Sequence, residues 1–329
     1  MREILSENQA LLTYEVTQAG VCILRCQTAD AVVQLPDTLD GQPVTALGDY
    51  VCAARTPDWA GRSVRQVYLT TRAGQPIPEH NARAIERVCV PQSVRTIGNY
   101  AFYNCDKLKS LALYDGVREI GHGALMNCTA FAYVDVYAPE GARTCLADLL
   151  GQTSTQLEVR LHAPTGAARL LFPPYHEELQ DLGPAHIFQR RIEGAGYAYR
   201  QCVQNDVLPF GQYDGAFERL LRIQDYETAC QVALLRLRWP LGLTVSARQM
   251  YLDCLRIHAR QTACDLVRAG DTAGLTALLS FGVLDAAGAS AACDCARELG
   301  RTEAAGLLLA ALHRQTANTP PRMQKSYDL

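Results

Sequence analysis

The chain reads as an α+β protein, with an N-terminal solenoid of parallel stacked strands followed by an all-α, repeat-like helical domain. Three observations predict this. Ile85–Cys105 and Leu108–Cys128 match almost position for position at a spacing of 23 residues (85 to 108). Within each copy the apolar residues alternate with polar ones, as in a strand with one buried face. From about residue 214 the apolar spacing changes to the threes and fours of a helix.

The first copy carries Ile85, Val88 and Val90, then Val94 and Ile97, then Gly98-Asn99-Tyr100-Ala101-Phe102-Tyr103-Asn104-Cys105. The second carries Leu108, Leu111 and Leu113, then Val117 and Ile120, then Gly121-His122-Gly123-Ala124-Leu125-Met126-Asn127-Cys128. A third opens with Phe131, Val134 and Val136, and the same spacing predicts a further strand at Leu157 and Val159. Backward extension predicts one at Val64, Val67 and Leu69. Strands are thus expected at 64–69, 85–90, 108–113 and 131–136, parallel and stacked in that order. A short fixed period marks a solenoid, whose units bury their apolar faces only against neighbouring units. Gly98 and Gly121 suit a turn that needs a positive φ or a close backbone approach. Cys105 and Cys128, equivalent by period, are expected to be buried and unpaired.

Leu35-Pro36-Asp37-Thr38-Leu39, leading through Val44 and Leu47 to Gly48-Asp49-Tyr50-Val51-Cys52, repeats the same core. With the two full copies it makes residues 12–161 closely resemble the BspA-type leucine-rich repeat family. That resemblance implies a short right-handed solenoid with parallel strands along one face. Residues 53–63 and 70–84 depart from the pattern and interrupt the early array, and Ala138-Pro139-Glu140-Gly141 reads as a terminal capping unit. Many members of the family are secreted or surface-bound adhesins. The N-terminal residues here lack the apolar core and cleavage site of a signal peptide, so the expectation is a cytoplasmic protein.

Composition narrows the partners. Hydrophobic residues make up 48% of the 329 and charged ones 20%, which fits a globular chain rather than a disordered one. A net charge of -3 supplies no attraction to nucleic acid or an anionic membrane. No run reaches the ~18 apolar residues of a membrane span. Basic residues are nearly all arginine, with lysine only at 107, 109 and 325, but acidic residues are interspersed with them throughout. The 13 cysteines read as reduced, buried thiols. Cys22/Cys26 and Cys293/Cys295 lack a histidine at ligand spacing, so neither a metal nor a cofactor is expected.

Domain boundaries are expected as 1–164 for the repeats, 165–213 for an irregular connection, 214–315 for helices and 316–329 for a disordered tail. In the helical part, Phe217, Leu220 and Leu221 form one stripe, and Tyr226, Ala229, Cys230, Ala233, Leu234 and Leu237 another. Trp239-Pro240 stops that helix. Ser246-Ala247-Arg248-Gln249 reads as a capping box, with Met250, Tyr251, Cys254 and Leu255 turned inward. Gly270, Gly282 and Gly300 suit helix C′ positions. Residues 262–281 and 292–312 resemble two weak ankyrin-type units, without the Thr-Pro-Leu-His opening of that family.

Function follows from the sheet. If Val, Leu and Ile point inward, the intervening residues point out, giving Gln66, Tyr68 and Thr70; Arg87, Cys89 and Pro91; Ser110, Ala112 and Tyr114; Tyr133, Asp135 and Tyr137; and a further row at Gln156, Glu158 and Arg160. Tyrosine offers rigid contact area at low entropic cost. The expectation is a non-catalytic binding or adaptor protein that meets a protein partner through Tyr68, Arg87, Tyr114, Tyr133, Asp135 and Tyr137. The alternative is an enzyme with a site in the polar–aromatic stretch 175–202, around His176, Glu178 and Arg200, with the repeats recruiting substrate. That stretch also reads as a seam where long side chains anchor backbone. His176-Glu177-Glu178 lacks the second histidine of a metalloprotease, and Gly194-Ala195-Gly196 lacks the third glycine of a dinucleotide loop. His122 reads as an exposed turn residue.

Overall fold

The structure is a computed structural model and describes residues 9–55, 57–69, 84–181 and 188–317. It divides into two compact units, one running to Ile223 and including Trp239–Gly242, the other holding Gln224–Arg238 and the residues from Leu243 on.

The first unit opens with an antiparallel hairpin of β1 (Ala10–Thr17) and β2 (Gly20–Thr28). Each solenoid turn then gives one strand to each of two sheets. The first turn supplies β3 (Val32–Gln34) and, after the short β4 (Thr38–Leu39), β5 (Gln42–Leu47). After β6 (Val64–Leu69), the second turn supplies β7 (Arg87–Cys89) and β8 (Thr96–Ile97), and the third β9 (Ser110–Tyr114) and β10 (Glu119–Ile120). The fourth supplies β11 (Tyr133–Tyr137) and α1 (Leu146–Gly151), where a helix replaces the short strand. Then β12 (Leu157–Ala163) continues the first sheet and β13 (Gly166–Phe172) closes it antiparallel. That sheet runs β3-β7-β9-β11-β12-β13, and the other runs β6-β1-β2-β5-β8-β10.

Repetition builds the core. Val33, Val88, Leu111, Val134 and Val159 lie opposite one another in parallel register and are buried. Each such side chain contributes about 1.5–3 kcal/mol when withdrawn from water. Ala101 and Phe102, with Ala124 and Leu125 one turn on, seal the other side. The glycine that precedes them is dictated by stacking: a Cβ on Gly98 would sit 2.5 Å from the Asp49 nitrogen, and one on Gly121 2.5 Å from the Asn99 nitrogen. Close approach is therefore their reason. The positive φ falls two residues later, at Tyr50, Tyr100 and Gly123. Cys105 is buried, its Sγ 3.5 Å from the Cys52 carbonyl oxygen, while Cys128 is only half-buried, its Sγ 3.1 Å from the Phe102 carbonyl oxygen; both are free thiols. Burial raises the pKa of both, to about 12 for Cys128.

Two strand expectations are corrected. β6 does not precede β7 in the stack; it pairs antiparallel with β1, Ala10 opposite Leu69, at the edge of the other sheet. β3 holds the place beside β7, because only Leu35–Cys52 carries the second half of the unit that lets the turn stack. The step from β11 to β12 is 25 residues (Val134 opposite Val159), not 23, because α1 lengthens that turn. The outward row on β12 is accordingly Glu158, Arg160 and His162.

The segment expected to be irregular holds β13, the hairpin β14 (His176–Asp181) and β15 (Phe188–Glu193), α2 (Gly196–Arg200) and α3 (Phe210–Gly215). The short α4 (Phe217–Arg222) follows, with Phe217 and Leu220 buried. The second unit comprises α5 (Tyr226–Arg238), α6 (Val245–Ala269), α7 (Thr272–Ser280), α8 (Ala286–Glu298) and α9 (Thr302–Ala317). α5 stops before Trp239-Pro240, and Gly270, Gly282 and Gly300 all follow helix ends at positive φ. The capping residue of α6 is Thr244, whose Oγ1 accepts from the Ala247 nitrogen, rather than Ser246. Tyr226 is more than a third exposed and stacks on His258 instead of lining the buried stripe of α5; Met250 is half-buried. The expected tail lies, from residue 318 on, outside the described residues, as does the interrupting segment 70–83.

Candidate interaction surface on the strand face

Parallel register brings the outward residues into rows. One row runs Tyr114, Tyr137, His162 across β9, β11 and β12. Tyr114 and Tyr137 stack with ring centroids 5.1 Å apart, and Tyr137 stacks on His162 at 4.7 Å. In-register strands lie about 4.8 Å apart, so identical outward positions place flat rings at stacking distance without distortion. A second row crosses Cys89, Ala112, Asp135, Arg160 and Arg169, and a third Arg87, Ser110, Tyr133, Glu158 and Leu171.

Asp135 is the polar hinge of this face. Only 5% exposed, it accepts a hydrogen bond from Arg87 Nη1 at 2.9 Å and lies 2.9 Å from His162 Nε2. Arg87 Nη1 also reaches Ser110 Oγ at 3.3 Å. Burial pushes the Asp135 carboxyl up, but the hydrogen bonds from His162 and Arg87 and the Arg87 charge outweigh it and hold the carboxyl below its ordinary value. Burial and then the Asp135 charge raise the pKa of Tyr137. A parallel arrangement sits beside it: Arg160 Nε donates to Glu158 Oε1 at 2.8 Å, Arg169 Nη1 lies 3.6 Å from the same oxygen, and the two guanidinium groups cover Tyr133 at 4.2 Å and Trp239 at 3.7 Å.

Of the six residues predicted for this face, Arg87, Tyr114, Tyr133, Asp135 and Tyr137 share it. Tyr133 and Tyr137 are exposed, Arg87 and Tyr114 half-buried. Tyr68 does not join them: it is exposed on β6, in the other sheet. Asp135 is a buried anchor rather than a contact surface. His162 was missed because the longer fourth turn shifted its row by two residues. Arg169 lies on the antiparallel β13, which the 23-residue period does not reach.

The stretch 175–202 arranges its residues differently. Arg200 is buried and donates to four carbonyls, those of Thr153 (2.9 Å), Thr155 (2.6 Å), Pro173 (2.6 Å) and Gly196 (3.1 Å). Burial lowers its pKa to about 10. Glu177 receives Arg190 across the hairpin in a two-pronged pair, Nε at 2.6 Å and Nη2 at 2.9 Å. His176 and Glu178 are exposed on the same strand. His122 is exposed in its turn, with its ring edge-on to Tyr100. Among the described residues no group of three His, Cys, Asp or Glu could hold a metal ion, and no helix is long and apolar enough to cross a membrane.

Residues 80–142 match the family described as BspA type Leucine rich repeat region (6 copies). No curated protein matches the chain. Among solved structures it is similar to a leucine rich repeat protein of T. pallidum, at 24% identity and a TM-score of 0.28 over 42% of this chain and 54% of that one. It is also similar to a leucine rich cell surface protein from Faecalibacterium prausnitzii A2-165, at 20% identity and a TM-score of 0.26 over 38% of this chain and 31% of that one. The chain thus spans about half and under a third of those proteins. A repeat region of this kind points to surface binding. Residues 80–142 belong to the BspA-type leucine-rich repeat family.

Proposed function

We propose that the chain is a non-catalytic binding or adaptor protein whose strand face, centred on Tyr114, Tyr133 and Tyr137, holds a protein partner. The observation that carries this is the stacked ring row set on a fixed sheet, with its rings ordered before any partner arrives. A preorganised aromatic surface loses little side-chain entropy on binding. Arg87 and Asp135 belong to the site as the pair that fixes the rings' polar border. The exposed His176 and Glu178, and an Arg200 spent on four carbonyls, give the rival catalytic reading no convergent acid, base and anion binder.

The test is affinity capture from native cell extract with the wild-type chain and with Tyr114→Ala, Tyr133→Ala and Tyr137→Ala combined. The variant should lose the specifically captured protein while keeping its circular dichroism spectrum. A captured set that is unchanged on the variant removes the strand face as the interface. Loss of capture on changing His176 or Glu178 instead would move the site to the hairpin.

A further inference from the structure

Two cysteines of the helical unit face each other and are placed unequally. Cys230 on α5 lines a cavity of about 400 Å³ whose walls come from α5, α6 and Asp271, whereas Cys254 on α6 is not part of that lining. Both thiols are buried, at 5% exposure each, and are hydrogen-bonded to one another. The cavity reaches solvent past the exposed Glu227, Gln231 and Gln261. Tyr226 and His258, stacked at 4.3 Å, form one wall, and Leu234 and Leu266 are among its apolar residues. A water molecule takes about 30 Å³, so a small solute has room to reach the Cys230 sulfur. Burial raises the pKa of Cys128 and Cys145, as expected for thiols withdrawn from water. At Cys230 the hydrogen bond from Cys254 outweighs burial, with Thr262 adding to it, and the pKa is lowered. Cys254 is raised by the same hydrogen bond and then by burial. One sulfur is thus the better nucleophile and the other keeps its proton.

We propose that Cys230 and Cys254 form a hydroperoxide-reactive pair, in which Cys230 is attacked from the cavity and Cys254 closes the product to a disulfide. The Cys230 thiolate sulfur attacks one peroxide oxygen. An S–O bond forms, the O–O bond breaks, and the departing oxyanion takes the proton that Cys230 gave up. The sulfur is then a sulfenic acid, oxidised by the two electrons that reduced the peroxide. The Cys254 sulfur attacks it, an S–S bond replaces the S–O bond, and hydroxide leaves with the Cys254 proton as water. The lining also selects the oxidant. It carries three carboxylates, Glu227, Asp265 and Asp271, and no arginine or lysine, so it disfavours an anionic disulfide such as oxidised glutathione and leaves a neutral hydroperoxide unopposed. This chemistry belongs to the helical unit alone and stands or falls apart from the strand face.

The experiment treats the full reduced chain with hydrogen peroxide, alkylates the remaining thiols and maps the cysteines by mass spectrometry, with circular dichroism recorded in parallel. Two of the 13 thiols should be lost together, as one crosslinked peptide joining Cys230 to Cys254, while the spectrum stays native. Dithiothreitol should return both. With Cys254→Ser the crosslink should vanish, and dimedone, which traps sulfenic acids, should mark Cys230. The wild-type crosslink is read without any variant, so the test survives a serine chain that does not fold. Oxidation of another cysteine first, or full alkylation of Cys230 and Cys254 after peroxide, would overturn the proposal. So would a crosslink that forms only once the spectrum has collapsed. If oxidised glutathione caps Cys230 faster than peroxide links the pair, the hydroperoxide assignment is wrong.

Discussion

The strand face and the stretch 175–202 are built from the same residue types and use them in opposite ways. On the face, tyrosines and arginines sit at alternate positions of strands whose register is fixed by the core beneath, so rings meet rings and each carboxylate meets two cationic or titratable groups. In 175–202 the long side chains tie down backbone. Arg200 turns inward to carbonyls of two separate loops and of its own helix, and Glu177 and Arg190 pair across the hairpin. Density of polar and aromatic residues therefore does not mark a site. What marks one is whether the scaffold has already satisfied those groups or left them presented.

The largest test of this contrast is Arg200→Ala. It removes one donor group and leaves four carbonyls, from Thr153, Thr155, Pro173 and Gly196, with a bond fewer. Unsatisfied buried acceptors cost about 1–3 kcal/mol each, so a loss of at least about 3 kcal/mol is expected in urea denaturation. Arg200→Lys should restore part of it. If instead the alanine variant keeps its midpoint but loses an activity, the arginine serves chemistry and the contrast fails.

Much of the face was legible in the sequence because a solenoid repeats its own geometry. Once Val88, Leu111 and Val134 are placed inward, Arg87, Tyr133 and Asp135 have only one side left, and the near-identical spacing of two copies fixes the register between them. The apolar spacing in Val64, Val67 and Leu69 was equally good and misled, because spacing specifies a strand but not its neighbour. β1 offered an antiparallel edge, and the sequence after Leu69 does not carry the Val-x-x-Ile-Gly half of the repeat unit. His162 was hidden by the two extra residues that α1 brings. Arg200 was visible as a residue but not as an anchor, since three of its four acceptors, on Thr153, Thr155 and Pro173, lie in loops whose convergence on α2 only the folded chain shows.

A second test concerns Asp135→Asn. The carboxyl is buried yet held below its ordinary pKa by His162 and Arg87. A group with a depressed folded pKa gives stability that is present above its unfolded value, about 3.9, and is lost as pH falls through the lower folded value. The asparagine variant should therefore be less stable than wild type at neutral pH, by about 2 kcal/mol for the lost charged hydrogen bonds. The gap should close in acid, once the wild-type carboxyl itself is protonated. Thermal melts of both proteins across that range read the effect directly. A gap that stays constant with pH would mean that shape rather than charge holds the face together.

The smallest expected effect is at Glu177. Its two-pronged bond to Arg190 has better geometry than any pair on the strand face, at 2.6 and 2.9 Å. Arg190 holds the Glu177 carboxyl below its ordinary pKa. Both partners are nevertheless well exposed, at 33% and 48% of their side chains. Water solvates either one alone nearly as well as the pair does, and salt screens what remains. Glu177→Gln should therefore leave the melting temperature within experimental scatter of wild type at physiological salt, although the geometry alone would rank it above Asp135. A clear loss of stability from Glu177→Gln would show that the hairpin is held by its surface charges. The distinction between satisfied and presented groups would then have to be redrawn around exposure rather than around partners.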